Sequence, residues 1–136
     1  MKVLSLTEPW ATLIYIGKKK VETRSFKTNY RGELYIHASS TKIPKNCSCE
    51  VLEFVEDVPL HYSHIICKCR LVDCIHMTEE FIEDMKKNHY TEYLCGDYQV
   101  GRYAWIMDDI EILQEEITAK GHLGIWNYEE KIEIRL

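Results

Sequence analysis

Gly17-Lys18-Lys19-Lys20-Val21-Glu22-Thr23-Arg24 is the stretch where this chain turns from helix into strand. Upstream of it, Trp10, Leu13, Ile14 and Gly17 recur at i, i+3, i+4 and i+7. That is the spacing of one apolar helix stripe, closed by a glycine at the C-terminal end. Downstream, Val21 to Phe26 reads as a short strand. Strand side chains alternate, so Lys20, Glu22 and Arg24 are expected on one face and Lys19, Val21 and Thr23 on the other. A carboxylate and a guanidinium two residues apart, after three lysines, are not a core pattern. They predict either an ion pair at a rim or a contact surface for a ligand.

Working toward the N-terminus, Thr7-Glu8-Pro9 supplies a capping hydroxyl, an acid for the positive helix end and a first-turn proline. Met1 to Leu6 alternates weakly and reads as a strand. Toward the C-terminus, Asn29 to Gly32 is a turn before a strand from Glu33 to Ala38. Lys42 to Glu50 reads as a loop, and Val51 to Leu60 as a weak helix or an irregular crossing. His64 to His76 carries the strongest strand pattern, with Ile65, Cys67, Cys69 and Leu71 on one face. Thr78 caps an acidic-then-basic helix ending near Lys87. Strands are expected at Tyr103 to Met107, Asp109 to Leu113 and Gly124 to Tyr128. Strands dominate without a βαβ rhythm, which predicts an α+β fold around a small, mostly antiparallel β-barrel with peripheral helices.

With 136 residues, 46% of them hydrophobic, the chain can bury the core of one domain spanning residues 1–136. No apolar run reaches the roughly 20 residues of a membrane helix, so no membrane partner is expected. The first residues lack a signal-peptide pattern, which predicts a cytoplasmic protein with reduced cysteines. Net charge is −5, against a protein that coats nucleic acid with its whole surface. Yet Lys18, Lys19, Lys20, Arg24, Lys27 and Arg31 crowd into one segment opposed by Glu22 alone. A basic patch on an acidic body suits one localised anionic ligand. The chain holds no Walker loop, dinucleotide glycine motif or metalloprotease motif, so no cofactor is expected. Cys47-Ser48-Cys49 and Cys67-Lys68-Cys69 are too closely spaced for the usual zinc knuckle. The second pair fits thiols buried on a strand, and no metal is expected.

Five segments together resemble the ASCH (activating signal cointegrator homology) domain family. They are Leu4-Ser5-Leu6-Thr7-Glu8-Pro9-Trp10-Ala11, the Gly17 to Ser25 run, Arg31-Gly32-Glu33-Leu34-Tyr35-Ile36-His37-Ala38, Gly101-Arg102-Tyr103-Ala104-Trp105-Ile106 and Lys120-Gly121-His122-Leu123-Gly124-Ile125-Trp126. The family signature Gly-x-Lys-x-x-Glu-x-Arg stands here as Gly17, Lys19, Glu22 and Arg24. The resemblance implies a PUA-like fold with a cleft that holds the signature residues, and RNA or a nucleotide-like ligand as partner. It also implies an enzymatic alternative, since one small member is an acetylcytidine amidohydrolase and another a proposed ribonuclease. The amidohydrolase places a nucleophilic threonine at the position of Glu22, so this chain departs from that mechanism.

Three readings follow for the site. In a binding module, Lys18, Lys19, Lys20, Arg24, Ser25, Arg31 and Lys120 contact a phosphate backbone, with Glu22 accepting from a base amine. In an enzyme, Lys19 and Glu22 are the catalytic pair. In an adaptor, the acidic surface docks a protein and the cleft is unused. Lys19 read alone also fits a surface lysine beside the negative end of a helix. His122, next to Lys120, is either a cleft residue or an exposed loop histidine. Trp10 and Trp105 are expected in the core, and Tyr30, Tyr35 and Tyr103 are candidates for stacking on a base.

Overall fold

A computed structural model describes residues 1–129. Six strands form one mixed sheet in the order β2-β5-β4-β3-β1-β6. They are β1 (Lys2–Leu6), β2 (Val21–Arg24), β3 (Gly32–Ala38), β4 (His64–His76), β5 (Tyr103–Thr118) and β6 (Ile125–Asn127). Four short helices lie between them: α1 (Trp10–Tyr15), α2 (Cys49–Glu53), α3 (Glu79–Asn88) and α4 (Tyr90–Leu94). The sheet curls into a PUA-like half-barrel whose end strands, β2 and β6, are not paired to each other among the described residues. Every neighbouring pair is antiparallel except β1 with β3.

β4 is the spine, and its limits match the alternating segment read from the sequence. Ile65, Cys67, Cys69 and Leu71 are all buried, and an irregular register near Ile65 sends Ile66 inward as well. Burial pushes the Cys69 thiol up to about 12 and the Cys67 thiol further still. These two behave as packed hydrophobes rather than reactive groups. The two strands expected at Tyr103 to Met107 and Asp109 to Leu113 are one. β5 runs through both, absorbing the break with register shifts against β4 and a positive φ of 52° at Asp109. Such irregularities let a long strand bend around a small barrel.

α1 forms where the apolar stripe predicts it. Ile14 is buried against the sheet, Leu13 is buried in a second cluster with Val51, Val55 and Cys95, Trp10 is half-buried, and Trp105 of β5 is 1% exposed. Gly17 ends the helix at φ +82°, and the amides of Gly17 and Lys18 reach back to the carbonyls of Ile14 and Leu13. Glu8 is not a surface acid for the helix dipole. It is fully buried, and its carboxylate accepts from the Thr12 amide at 2.8 Å, the Thr12 hydroxyl at 2.5 Å and the His61 amide at 2.9 Å. One acidic side chain thereby satisfies donors from the first turn of α1 and from the loop before β4. Of the segment Val51 to Leu60, only the first residues are helical, as the end of α2, which is capped by the Ser48 hydroxyl on the Val51 amide. α3 begins at the Thr78 cap as expected. α4 has no counterpart in the sequence reading, and its Glu92 accepts from backbone amides at the start of β2. No helix of the described residues is long and apolar enough to cross a membrane.

Candidate nucleic-acid interface

Three lysines precede β2, and the structure sends them three ways. Lys18 is exposed, with its ammonium 5.8 Å from the Phe54 ring centroid. Lys20 is exposed, while its amide donates to Glu92 of α4 at 2.5 Å. Lys19 turns inward and is 1% exposed. Its Nζ donates to the carbonyls of Val21 at 2.5 Å and Cys95 at 2.6 Å, and it lies 3.5 Å from Oε1 of Glu22. The alternation read from the sequence put Lys19 and Glu22 on opposite faces. That expectation is corrected here: β2 begins at Val21, so strand alternation does not extend back to Lys19.

The cover over Lys19 is the segment after α3. Cys95, at the end of α4, supplies one carbonyl, and the Glu92 carboxylate accepts from the amides of Lys20 and, at 3.3 Å, Val21. Desolvation raises the pKa of Glu92, and those amides with Lys19 and Lys20 partly offset it. The Lys19 ammonium thus donates to two carbonyls and is paired with one carboxylate.

Glu22 carries the next link. Its other oxygen accepts from Arg24 Nη1 at 3.3 Å, making a string of cation, anion and cation. The Arg24 guanidinium also lies 5.1 Å from the Phe26 ring centroid and 5.4 Å from that of Trp105. Aromatic faces favour a guanidinium, and the carboxylate fixes one edge of its plane. Its Nε is buried without a partner.

Arg24 belongs to the wall of a cleft of about 390 Å³. The other walls are Ser5 of β1 and Thr7 beyond it, the Ser39-Ser40-Thr41 segment after β3, and the Lys120 to Gly124 loop before β6. These elements meet near the two ends of the sheet order, where the curl fails to close. Three buried polar side-chain atoms lack partners among the described residues, and two of them, Arg24 Nε and Ser39 Oγ, belong to this lining. Such orphans are rare enough in folded proteins to need a cause.

His37 of β3 organises one side of the cleft. Its Nε2–H donates to the Ala119 carbonyl at 2.7 Å, which leaves Nδ1 to accept from the Ser5 hydroxyl at 3.0 Å. Trp126 Nε1 donates to the same Ser5 oxygen at 2.9 Å. Burial lowers the His37 pKa, partly countered by the Ala119 bond, so the neutral ring is held in one tautomer. Gly121 rests directly on this network. A Cβ there would lie 3.0 Å from Ser5 Oγ and 3.1 Å from His37 Cε1.

Of the residues read from the sequence, Arg24 and Lys120 are brought together in the cleft, with His122 beside them. Glu22 instead lines a second pocket of about 280 Å³ with Trp10, Thr23, Cys95 and Arg102. Lys19 lines neither pocket. Ser25 is exposed just past β2. Arg31 is exposed and spends its guanidinium on the Thr28 and Tyr30 carbonyls, at 3.0 and 2.8 Å. Tyr30, Tyr35 and Tyr103 are not in the cleft lining. The sequence reading missed Ser5, Thr7 and the Ser39 to Thr41 hydroxyls. A serine among Val3, Leu4 and Leu6, and a run of hydroxyls straight after a buried strand, were the available signals.

The architecture and the site define a class: a small α+β PUA-like half-barrel with a polar, cation-bearing cleft at its open seam. The ASCH domain model matches residues 4–134, and the chain belongs to the ASCH domain family. That family is generally associated with RNA binding. The chain is similar to activating signal cointegrator 1 of Homo sapiens, at 27% identity over an alignment 143 residues long that takes in 95% of this chain. It spans only 22% of the length of that relative.

Proposed function

We propose that the protein binds RNA by taking a nucleotide of a single strand into the cleft between β2 and the Lys120 to Gly124 loop. Arg24 and Lys120 receive the phosphate, and the hydroxyls of Ser39, Ser40 and Thr41 complete a polar lining suited to phosphate and ribose oxygens. The observation that carries this reading is Arg24. Its guanidinium is stacked on two rings, pinned by Glu22, and left with an unpartnered donor in a cleft wall. An arginine held rigidly in this way loses little entropy on gaining an anion.

In this reading Lys19 positions Glu22 rather than touching ligand, and Glu22 positions Arg24. The catalytic assignment of Lys19 and Glu22 gains no support from the geometry, since the ammonium is covered and held by two backbone carbonyls. Titration of the isotope-labelled protein with a short single-stranded RNA, followed by amide chemical shifts, tests the location. The expected shifts centre on Ser5, Arg24, Ser39 to Thr41 and Lys120 to Gly124. Shifts confined to α3 or to the outer half of β5 place binding elsewhere and sink the proposal.

A further inference from the structure

Leu123 is 99% exposed, yet it belongs to the lining of the cleft. Its loop is braced rather than loose. His37 holds the Ala119 carbonyl at 2.7 Å, Gly121 packs on Ser5 and His37, and the His122 ring meets the Trp126 ring at 4.9 Å between centroids. The braced loop therefore carries an isobutyl group at the lip of a polar cleft with nothing covering it. A leucine so placed contributes only when an apolar surface closes over it.

The remainder of the lining restricts what that surface can be. Arg24, Lys120 and five hydroxyl side chains, on Ser5, Thr7, Ser39, Ser40 and Thr41, share the cleft with Leu123. An apolar peptide filling it would leave those polar groups dry and unpaired. A nucleotide offers oxygens to the polar wall and a ring face to the leucine. The ring must be free of a duplex, because paired and stacked bases present no open face.

We infer that Leu123 is the base-contacting residue of the cleft, covering the ring of a nucleotide whose phosphate lies against Arg24 and Lys120. The inference rests on the cleft reading above and adds a recognition rule: an unpaired nucleotide with an intact base, not a bare sugar-phosphate chain.

Two probes test it: a short single-stranded RNA of mixed sequence, and a ribose-phosphate oligomer of equal length without bases. The wild-type protein should prefer the RNA. Leu123→Ser should lower affinity for the RNA roughly tenfold, the loss of about one half-buried apolar side chain, and leave affinity for the abasic oligomer unchanged. The denaturation midpoint should not move, because Leu123 packs on nothing. Wild-type affinity of Leu123→Ser for the RNA overturns the inference and leaves the cleft reading standing. Equal losses on both probes also overturn it, because the leucine would then act through loop shape. If the wild type binds neither probe, the cleft reading fails and the inference falls with it.

Discussion

The ammonium of Lys19 lies 3.5 Å from the carboxylate of Glu22 in a place almost closed to water. Two of the family's signature side chains are therefore engaged with each other, and the third, Arg24, lines the cleft. The string converts a buried charge into orientation. Lys19 neutralises Glu22, Glu22 aligns one edge of Arg24, and Phe26 and Trp105 support its face.

A buried ion pair broken on one side leaves an uncompensated charge, which costs more than the pair contributes. Lys19→Met keeps the length of the side chain but strands Glu22 and two carbonyls. Chemical denaturation should show a loss of about 3 kcal/mol. A surface lysine past a helix end would contribute only a few tenths through the dipole. A loss that small would mean that Lys19 is not the buried strut described above.

The helix, the β2 segment and the spine strand were legible because their residues repeat at the right period. Leu13 and Ile14 marked α1, while Ile65, Cys67, Cys69 and Leu71 marked β4. Of the motif's side chains, Arg24 lines the cleft. Strand alternation misled for Lys19, whose direction depends on the Cys95 carbonyl, more than seventy residues away in sequence. A five-residue helix, Tyr90–Leu94, is too short to show a period. The hydroxyl wall was illegible for a related reason: Ser5 and Ser39 line one cleft because β1 and β3 pair in parallel, with Ser5 in register with His37.

His37 supplies a pH test with a definite sign. Its pKa is lowered on folding, chiefly by desolvation, so the unfolded chain binds the proton more readily. The contribution of His37 is therefore complete above its unfolded value of about 6.5 and declines as pH falls from there toward the folded pKa. Comparing denaturation of wild type and His37→Gln between pH 7.5 and 5 isolates this part from other titrating groups. The wild type should lose more stability than the variant on acidification. Parallel curves would contradict the buried neutral ring.

Gly121 is needed for close approach, not for an unusual backbone angle. Gly121→Ala places a methyl against Ser5 Oγ and His37 Cε1, so the loop must move by a few tenths of an ångström. Stability should fall by about 1 kcal/mol, and RNA affinity should fall as well, because Lys120 and Leu123 ride on the same loop. A variant with lower stability but wild-type affinity would separate the loop from the ligand.

The central claim is that Arg24 and Lys120 hold phosphate in the cleft, and the salt dependence of RNA binding tests it most directly. Plots of log affinity against log salt for wild type, Arg24→Ala and Lys120→Ala should differ by roughly one counterion per removed cation. Each substitution should also weaken binding at low salt by about 1 kcal/mol. Lys120 is exposed, so its removal carries no cost in folding that could mimic the effect. If both variants keep the wild-type affinity and the wild-type slope, phosphate does not bind in this cleft and the account is wrong.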